Sequence, residues 1–193
     1  FCFRPVAESG EFWFWALGPF EEFRRRAGET TRHGKLEDMK VTVEGNHVYL
    51  HFEYLTGDAA GQNMATIATQ RICDYIVAHS PARVLSYSVE GNLSGDKKAS
   101  AQSFQGVRGR KVSAEAVLPG ETIAKRLHTT AARMAAYWRV SALGGVMSGT
   151  IGVQGHYANA LAALYIACGQ DAACVSESSV GVTRFEEMEH GNL

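Results

Sequence analysis

The sequence predicts an α+β fold, and two observations carry that expectation. Across residues 1–90 the apolar pattern changes period in the order strand, helix, strand, strand, helix, strand. Beyond residue 119, long runs rich in Ala, Leu and Met read as helix. The first order, βαββαβ, is the split βαβ or ferredoxin-like arrangement. Two regions are therefore expected: a ferredoxin-like unit over residues 1–95 and an α-rich unit over residues 96–193.

In chain order, residues 1–3 read as a short strand. Residues 11–15 (EFWFW) fit helix and strand equally. Residues 19–27 read as a helix with Phe20 and Phe23 three apart, and Arg24, Arg25 and Arg26 form a solvated face. Thr30-Thr31-Arg32-His33-Gly34 is a polar loop. Residues 39–43 and 47–54 alternate apolar and polar side chains around Glu44-Gly45-Asn46, a hairpin signal. Residues 61–79 read as an amphipathic helix, with Met64, Ile67, Ala68, Ile72, Tyr75 and Ile76 on one face. Pro81 ends it, and residues 84–90 are expected as the next strand.

The second half opens with an expected strand over residues 110–118. Pro119-Gly120-Glu121 then begins a helix expected to run to about Val140, proline being suited to a first helical turn. The small residues of 144–152 permit close backbone approach. Residues 158–168 read as a buried helix with Gly169 as its C-cap, and residues 186–193 as a polar, frayed tail.

The chain has 193 residues, of which 46% are hydrophobic and 20% charged, with a formal net charge of -1. This is ordinary globular composition. The charge balance offers no electrostatic reason to expect nucleic acid or an anionic membrane as partner. No apolar run of transmembrane length occurs, and no basic-then-apolar leader is visible at the N-terminus. The first residue is not Met, which suggests an excised piece. Cys2, Cys73, Cys168 and Cys174 match no zinc or redox spacing. Cys73 and Cys168 read as buried thiols, suited to a reducing cytoplasm.

Three segments have the residue types that chemistry uses. Thr56-Gly57-Asp58-Ala59-Ala60-Gly61-Gln62-Asn63-Met64 joins a strand to a helix through glycines. It reads either as a plain connection or as an anion site at a helix N-terminus, with Asp58 counting against a phosphate. Gly91-Asn92-Leu93-Ser94-Gly95-Asp96-Lys97-Lys98 places two cations after a carboxylate. It is a solvated turn or a source of donors to a developing oxyanion, where one positioned donor is worth ~10²–10³ in rate. Cys168-Gly169-Gln170-Asp171 puts Asp171 beyond a helix end, as a solvated cap or as a carboxylate that keeps a lysine protonated. His156 and Asn159 flank the start of that helix.

These three segments, in this order, together with Ala114-Glu115-Ala116-Val117-Leu118-Pro119 and Glu177-Ser178-Ser179, resemble hydroxymethylglutaryl-CoA reductases (HMG-CoA reductases). The similarity runs from about Thr30 to Thr183 and more weakly back to Phe1. Thr30 to Leu36 and Gly61-Gln62-Asn63-Met64 look closer to bacterial than to animal forms.

The resemblance implies a ferredoxin-like NAD(P)-binding small domain over 1–95 and part of a large catalytic domain over 96–193. It implies that Asp58, Ala60, Gly61, Gln62, Asn63 and Met64 bind a nicotinamide dinucleotide, NADPH or alternatively NADH, with Arg32 in a second cofactor-contacting loop. It makes Lys97 the catalytic cation and Asp171 the catalytic carboxylate. Asp96, Lys98, His156 and Asn159 would contact substrate, and no metal is implied. The implied reaction takes a thioester through hemithioacetal and aldehyde to mevalonate by two hydride transfers, Lys97 stabilising the oxyanion. A cytoplasmic homodimer or higher oligomer is implied as well.

The sequence departs from the family pattern in four ways. The upstream Thr-Glu-Gly glutamate and the downstream histidine of the family mechanism have no counterpart here; Glu115 and His190 lie in other contexts. Glu90 stands where animal and plant forms usually carry Ser. Many relatives carry a substrate-binding lysine near Ser141, where Arg139 is the nearest cation. Three roles follow from different classes: part of a reductase, a dinucleotide- or CoA-binding module without chemistry, or a structural descendant. Retention of Asp96, Lys97 and Asp171 counts against the last.

Overall fold

The computed structural model describes residues 1–91, 93–95, 99–106, 109–153 and 157–193, with Gly144 and Ser148 described by backbone alone. The chain divides into two compact units, Phe1–Ser94 and Gly95–Leu193. The architecture is mixed α and β.

In the first unit, Pro5 and Pro19 precede α1 (Val6–Ala16) and α2 (Phe20–Gly28). The ambiguous EFWFW run is helical because Phe12 and Ala16, one turn apart, are both fully buried. Strands β1 (Lys35–Glu44) and β2 (His47–Leu55) form an antiparallel hairpin with Glu44 opposite His47. Gly45 takes φ +55 in the two-residue turn, a conformation that strains residues with a Cβ. The register slips between Leu36 and Asp38, leaving Glu37 as a bulge. Helix α3 (Gln62–His79) then buries Ala68, Ile72, Cys73 and Ile76; of the face expected from its periodicity, Ala68, Ile72 and Ile76 are buried, while Ile67 is exposed and Cys73 takes its place in the core.

The two outer strands expected at residues 1–3 and 84–90 shrink to single bridges. Cys2 pairs antiparallel with His47 on one side and with Ser86 on the other. Cys2 N donates to Ser86 O and Leu85 N to Cys2 O, both at 2.9 Å. Pro5, with no N–H to offer, stops the first segment, and beyond Ser88 the chain turns so that Gly91 lies against the ring of Tyr49. Phe3, Phe12, Phe23, Leu36, Val48, Ile72 and Ile76 form a fully interlocked core. Phe23 contacts Phe52 and Tyr75 edge-on with centroids 6.0 and 6.1 Å apart, a favoured aromatic geometry.

In the second unit the strand expected at residues 110–118 is absent. Residues 110–117 are exposed, and Leu118 exchanges two backbone hydrogen bonds with Leu193 at 2.9 and 3.1 Å. The helix expected from 119 to 140 is broken. A turn α4 (Gly120–Thr122) passes into π-helical turns over Ile123–Leu127, His128 takes a left-handed conformation, and Thr130 caps a new helix α5 (Ala131–Ser148) by accepting from Arg133 N. Thr is a strong N-cap residue, and that preference outweighs continuity of the apolar pattern. Helix α5 absorbs half of the small-residue stretch and ends at Gly149, φ +73.

Helix α6 (Tyr157–Ala167) follows and has no buried residue, against the buried helix expected there. Cys168 is exposed, not buried. Gly169 does cap α6 with φ +66, Gln170 N donating back to Tyr165 O at 2.8 Å. A short helix α7 (Val175–Ser178) comes next. The tail is not frayed: Leu193 is buried with Ile123, Ala131 and Ala135, and Asn192 Oδ1 accepts from Gly120 N at 3.0 Å. Among the described residues no helix is long and apolar enough to cross a membrane.

Candidate functional site

Strand β2 delivers the chain into the first candidate loop. Thr56 Oγ1 donates to Ala59 O at 2.5 Å and closes the turn, with Gly57 at φ +65. Gly61, φ +71, stands at the N-cap of α3, where no side chain caps the helix and its first turn carries no acidic residue. The positive end of this eighteen-residue helix faces the loop that carries Asp58. A Cβ on Gly61 would stand 2.4 Å from Thr56 Cγ2 and 3.2 Å from Met64 Cε, so glycine is required by space as well as by φ. Asp58, Ala60 and Asn63 are exposed and Gln62 and Met64 half-buried.

The second loop comes to the same place. Thr31 Oγ1 accepts from His33 N and Gly34 N, each at 3.1 Å, and lies 2.9 Å from Met64 Sδ. A Cβ on Gly34 would stand 2.8 Å from both Sδ and Cε of Met64. The loop carrying the exposed Arg32 is therefore seated on the first turn of α3. Thr31 and Gly34 were not among the expected site residues, although the Thr-x-x-Gly spacing of a hydroxyl-closed turn is visible in the sequence.

Two groups close to this region are tuned by burial. Tyr54, near the end of β2, shares a hydrogen bond with Thr69 Oγ1 at 2.9 Å, and burial pushes its phenol up to about 12. Burial likewise pushes the Cys73 thiol up to about 12, which makes it an inert core group. A separate cleft of about 390 Å³ in the first unit is lined by residues including His47, Tyr49, His51, Ser86 and Glu90, and Ser94 Oγ lies 3.4 Å from Glu90 Oε2. None of the expected dinucleotide residues lines it.

In the second unit Asp171 is exposed and caps the turn Ala172–Cys174, accepting from Ala173 N at 2.9 Å. Asn159 lies exposed in the first turn of α6. Arg139 is exposed and pairs with Glu187 at 3.9 Å. Asp96, Lys97, Lys98 and His156 lie outside the described residues. Among the described residues no three His, Cys, Asp or Glu side chains gather as metal ligands.

Comparison with known proteins extends these observations. The family pattern described as hydroxymethylglutaryl-coenzyme A reductase matches residues 1–193. A 3-hydroxy-3-methylglutaryl-coenzyme A reductase of Haloferax volcanii is 40% identical over 189 residues, covering 97% of this chain and 46% of its own length. One from Pyrococcus abyssi is 41% identical over 172 residues, covering 88% of this chain and 41% of its own. A plant form, from Oryza sativa subsp. indica, is 33% identical over 175 residues, 90% of this chain and 32% of its own. The chain thus spans less than half the length of these relatives. With the family pattern matched from its first residue to its last, the chain belongs to the hydroxymethylglutaryl-coenzyme A reductase family.

Proposed function

We propose that this chain is the dinucleotide-binding unit and part of the catalytic unit of an enzyme that reduces (S)-3-hydroxy-3-methylglutaryl-CoA to mevalonate and CoA. The observation that carries the proposal is the meeting of two loops on Met64. The resemblance implies a cofactor role for both loops, and the tip of Met64 lies close to the backbone of both Gly34 and Gly61. The N-terminal end of α3 and the exposed Arg32 suit a ligand that carries phosphates.

A ferredoxin-like reading of the first unit is supported by the bridges. Residues 84–88, residues 1–3, β2 and β1 lie side by side in that order, each antiparallel to its neighbour. Asp58, Ala60, Gly61, Gln62, Asn63 and Met64, with Arg32, would hold NADPH, with NADH as the other candidate. When bound, that cofactor supplies the hydride for both reductive steps. Lys97 then stabilises the oxyanion of the substrate, Asp171 keeps that lysine charged, and Asp96, Lys98, His156 and Asn159 hold the substrate. The working enzyme is a cytoplasmic homo-oligomer, at least a dimer.

A second reading, a dinucleotide- or CoA-binding module without chemistry, is favoured for the isolated chain by two observations. The Asp171 carboxylate is engaged in capping its own turn, and the chain spans under half of its relatives. The two separate in one assay: the 193-residue chain is mixed with HMG-CoA and NADPH or NADH, and cofactor binding and oxidation are followed on the same sample. Binding without turnover is expected for the isolated chain, and turnover appears once the remainder of a full-length enzyme is present. Turnover in a full-length enzyme that survives Lys97→Ala overturns the assigned mechanism.

A further inference from the structure

Helix α1 has two apolar faces, and the core uses only one of them. Ser9, Phe12 and Ala16 point inward and are buried. On the opposite side Val6, Ala7, Gly10, Trp13, Phe14 and Leu17 follow one another at spacings of three and four, so they share one stripe. All six are exposed, and the four large side chains stand 45–79% open to solvent. No charged side chain interrupts the stripe, and Glu11 stands at its border. Together the four expose roughly 450 Å² of apolar surface, the size of the largest patch on an ordinary monomer. A standard interface between two proteins buries about 800 Å² on each, a little over half of it apolar. The stripe therefore matches the apolar share of one such interface.

Gly10 identifies the kind of face that fits. It sits inside the helix, where glycine is destabilising relative to alanine. Its φ is not positive, and a Cβ there would meet nothing within 4 Å beyond its own helix backbone. Neither backbone conformation nor internal packing calls for glycine at this position. What glycine does provide is a hollow in the stripe, with Val6, Trp13 and Phe14 one turn away around it. A face that carries both a hollow and projecting side chains is complementary to itself, as a two-fold contact between identical chains requires. We infer that the outward face of α1 is a docking surface for a second copy of this chain, the two helices crossing at Gly10 with Trp13 and Phe14 as anchors. Tryptophan is enriched among such anchors. The contact involves neither the candidate cofactor loops nor the second unit, so it stands independently of the proposed reaction.

The test is sedimentation velocity of the 193-residue chain across the micromolar range, with amide exchange followed by mass spectrometry at both ends of that range. Phe14→Ser and Trp13→Ser remove the anchors at exposed positions. Gly10→Gln fills the hollow and, because Gln is the better helix former, does not lower the thermal midpoint of the dilute protein. Each of the three is expected to weaken self-association about tenfold or more. Concentration-dependent slowing of exchange over residues 6–17, absent in Phe14→Ser, supports the contact at α1. Association that none of the three changes, or slowing confined to α5, overturns it. A chain that stays monomeric throughout also overturns it and leaves the face to another occupant, the remainder of a full-length enzyme first among them. None of these results bears on cofactor binding, which the dinucleotide assay reads separately.

Discussion

The two units of the chain handle apolar surface in opposite ways. The first gathers eleven buried residues into one cluster, seven of them Phe, Leu, Val or Ile, and surrounds it with further aromatics. The second buries Ile123, Ala131, Ala135 and Leu193, while Tyr137, Val140, Leu143, Val146 and Met147 along α5 stand 64–80% exposed. Their spacing of three and four places them on neighbouring positions of the helix surface. Contiguous apolar exposure of this kind is uncommon on the surface of a soluble monomer. One half of the chain therefore carries its own stability, and the other half exposes surface in search of it.

That contrast can be broken most decisively in the first unit. Phe12→Ala, at a site with no solvent exposure, is expected to cost about 3–5 kcal/mol, read as a lower midpoint in urea unfolding followed by circular dichroism. A change below about 1 kcal/mol would mean that the first core is looser than its packing implies.

Gly61→Ala comes next. It imposes a φ that costs an ordinary residue roughly 1–2 kcal/mol and drives a methyl into Thr56. Dinucleotide affinity should fall more steeply than stability, because the strain is placed at the candidate site. Equal affinity in the variant would separate the loop from the ligand.

On α5, Val140→Ser with Met147→Lys should move folding stability by no more than about 0.5 kcal/mol and reduce self-association in sedimentation velocity. If the same pair unfolds the second unit, the exposed stripe is part of its core after all.

The smallest effect belongs to the α2 surface. Hydrogen bonds from Arg25 and Arg26 at 2.7–2.8 Å hold the Glu22 carboxyl down to about 2. A depressed carboxylate contributes stability that is complete above its unfolded value near 4.5 and is lost as pH falls through about 2. The cluster is exposed, so the contribution is screened and small. Thermal midpoints for the parent and Glu22→Gln should therefore differ slightly at pH 7 and converge by pH 2, with the difference at pH 7 shrinking in 1 M salt.

Much of the first unit was legible because its signals are local. The 68–72–76 spacing named the buried face of α3, Glu44-Gly45-Asn46 named the hairpin turn, and residues 19–27 read as the helix that became α2. In the second unit the same kind of reasoning failed at particular residues. The apolar pattern ran through residues 121–140 without a visible stop, and Thr130 as an internal N-cap was hidden inside it. Residues 110–118 alternate like a strand but form none, and alternation says nothing about whether an edge is available. Cys168 and α6 looked buried because they are apolar, and apolarity records what a surface seeks rather than what covers it.

For the candidate site, the residues alone left the segment around Gly61 open between a plain connection and an anion site, and the cofactor roles of Asp58, Ala60, Gly61, Gln62, Asn63, Met64 and Arg32 came only through the resemblance to the reductase family. Backbone preference, helix capping and side-chain period act over a few positions, so sequence determined α2, α3, the hairpin and the family, while packing of Phe12 and Ala16 decided α1. Tertiary structure decided that Thr31 and Gly34 meet Met64 across 33 residues, that Leu193 returns to pair with Leu118, and that the outer strands shorten to bridges at Cys2 and Ser86. Such meetings depend on closing long loops against chain entropy. They occur where the whole packed surface repays that cost, and no short stretch of residues encodes the sum.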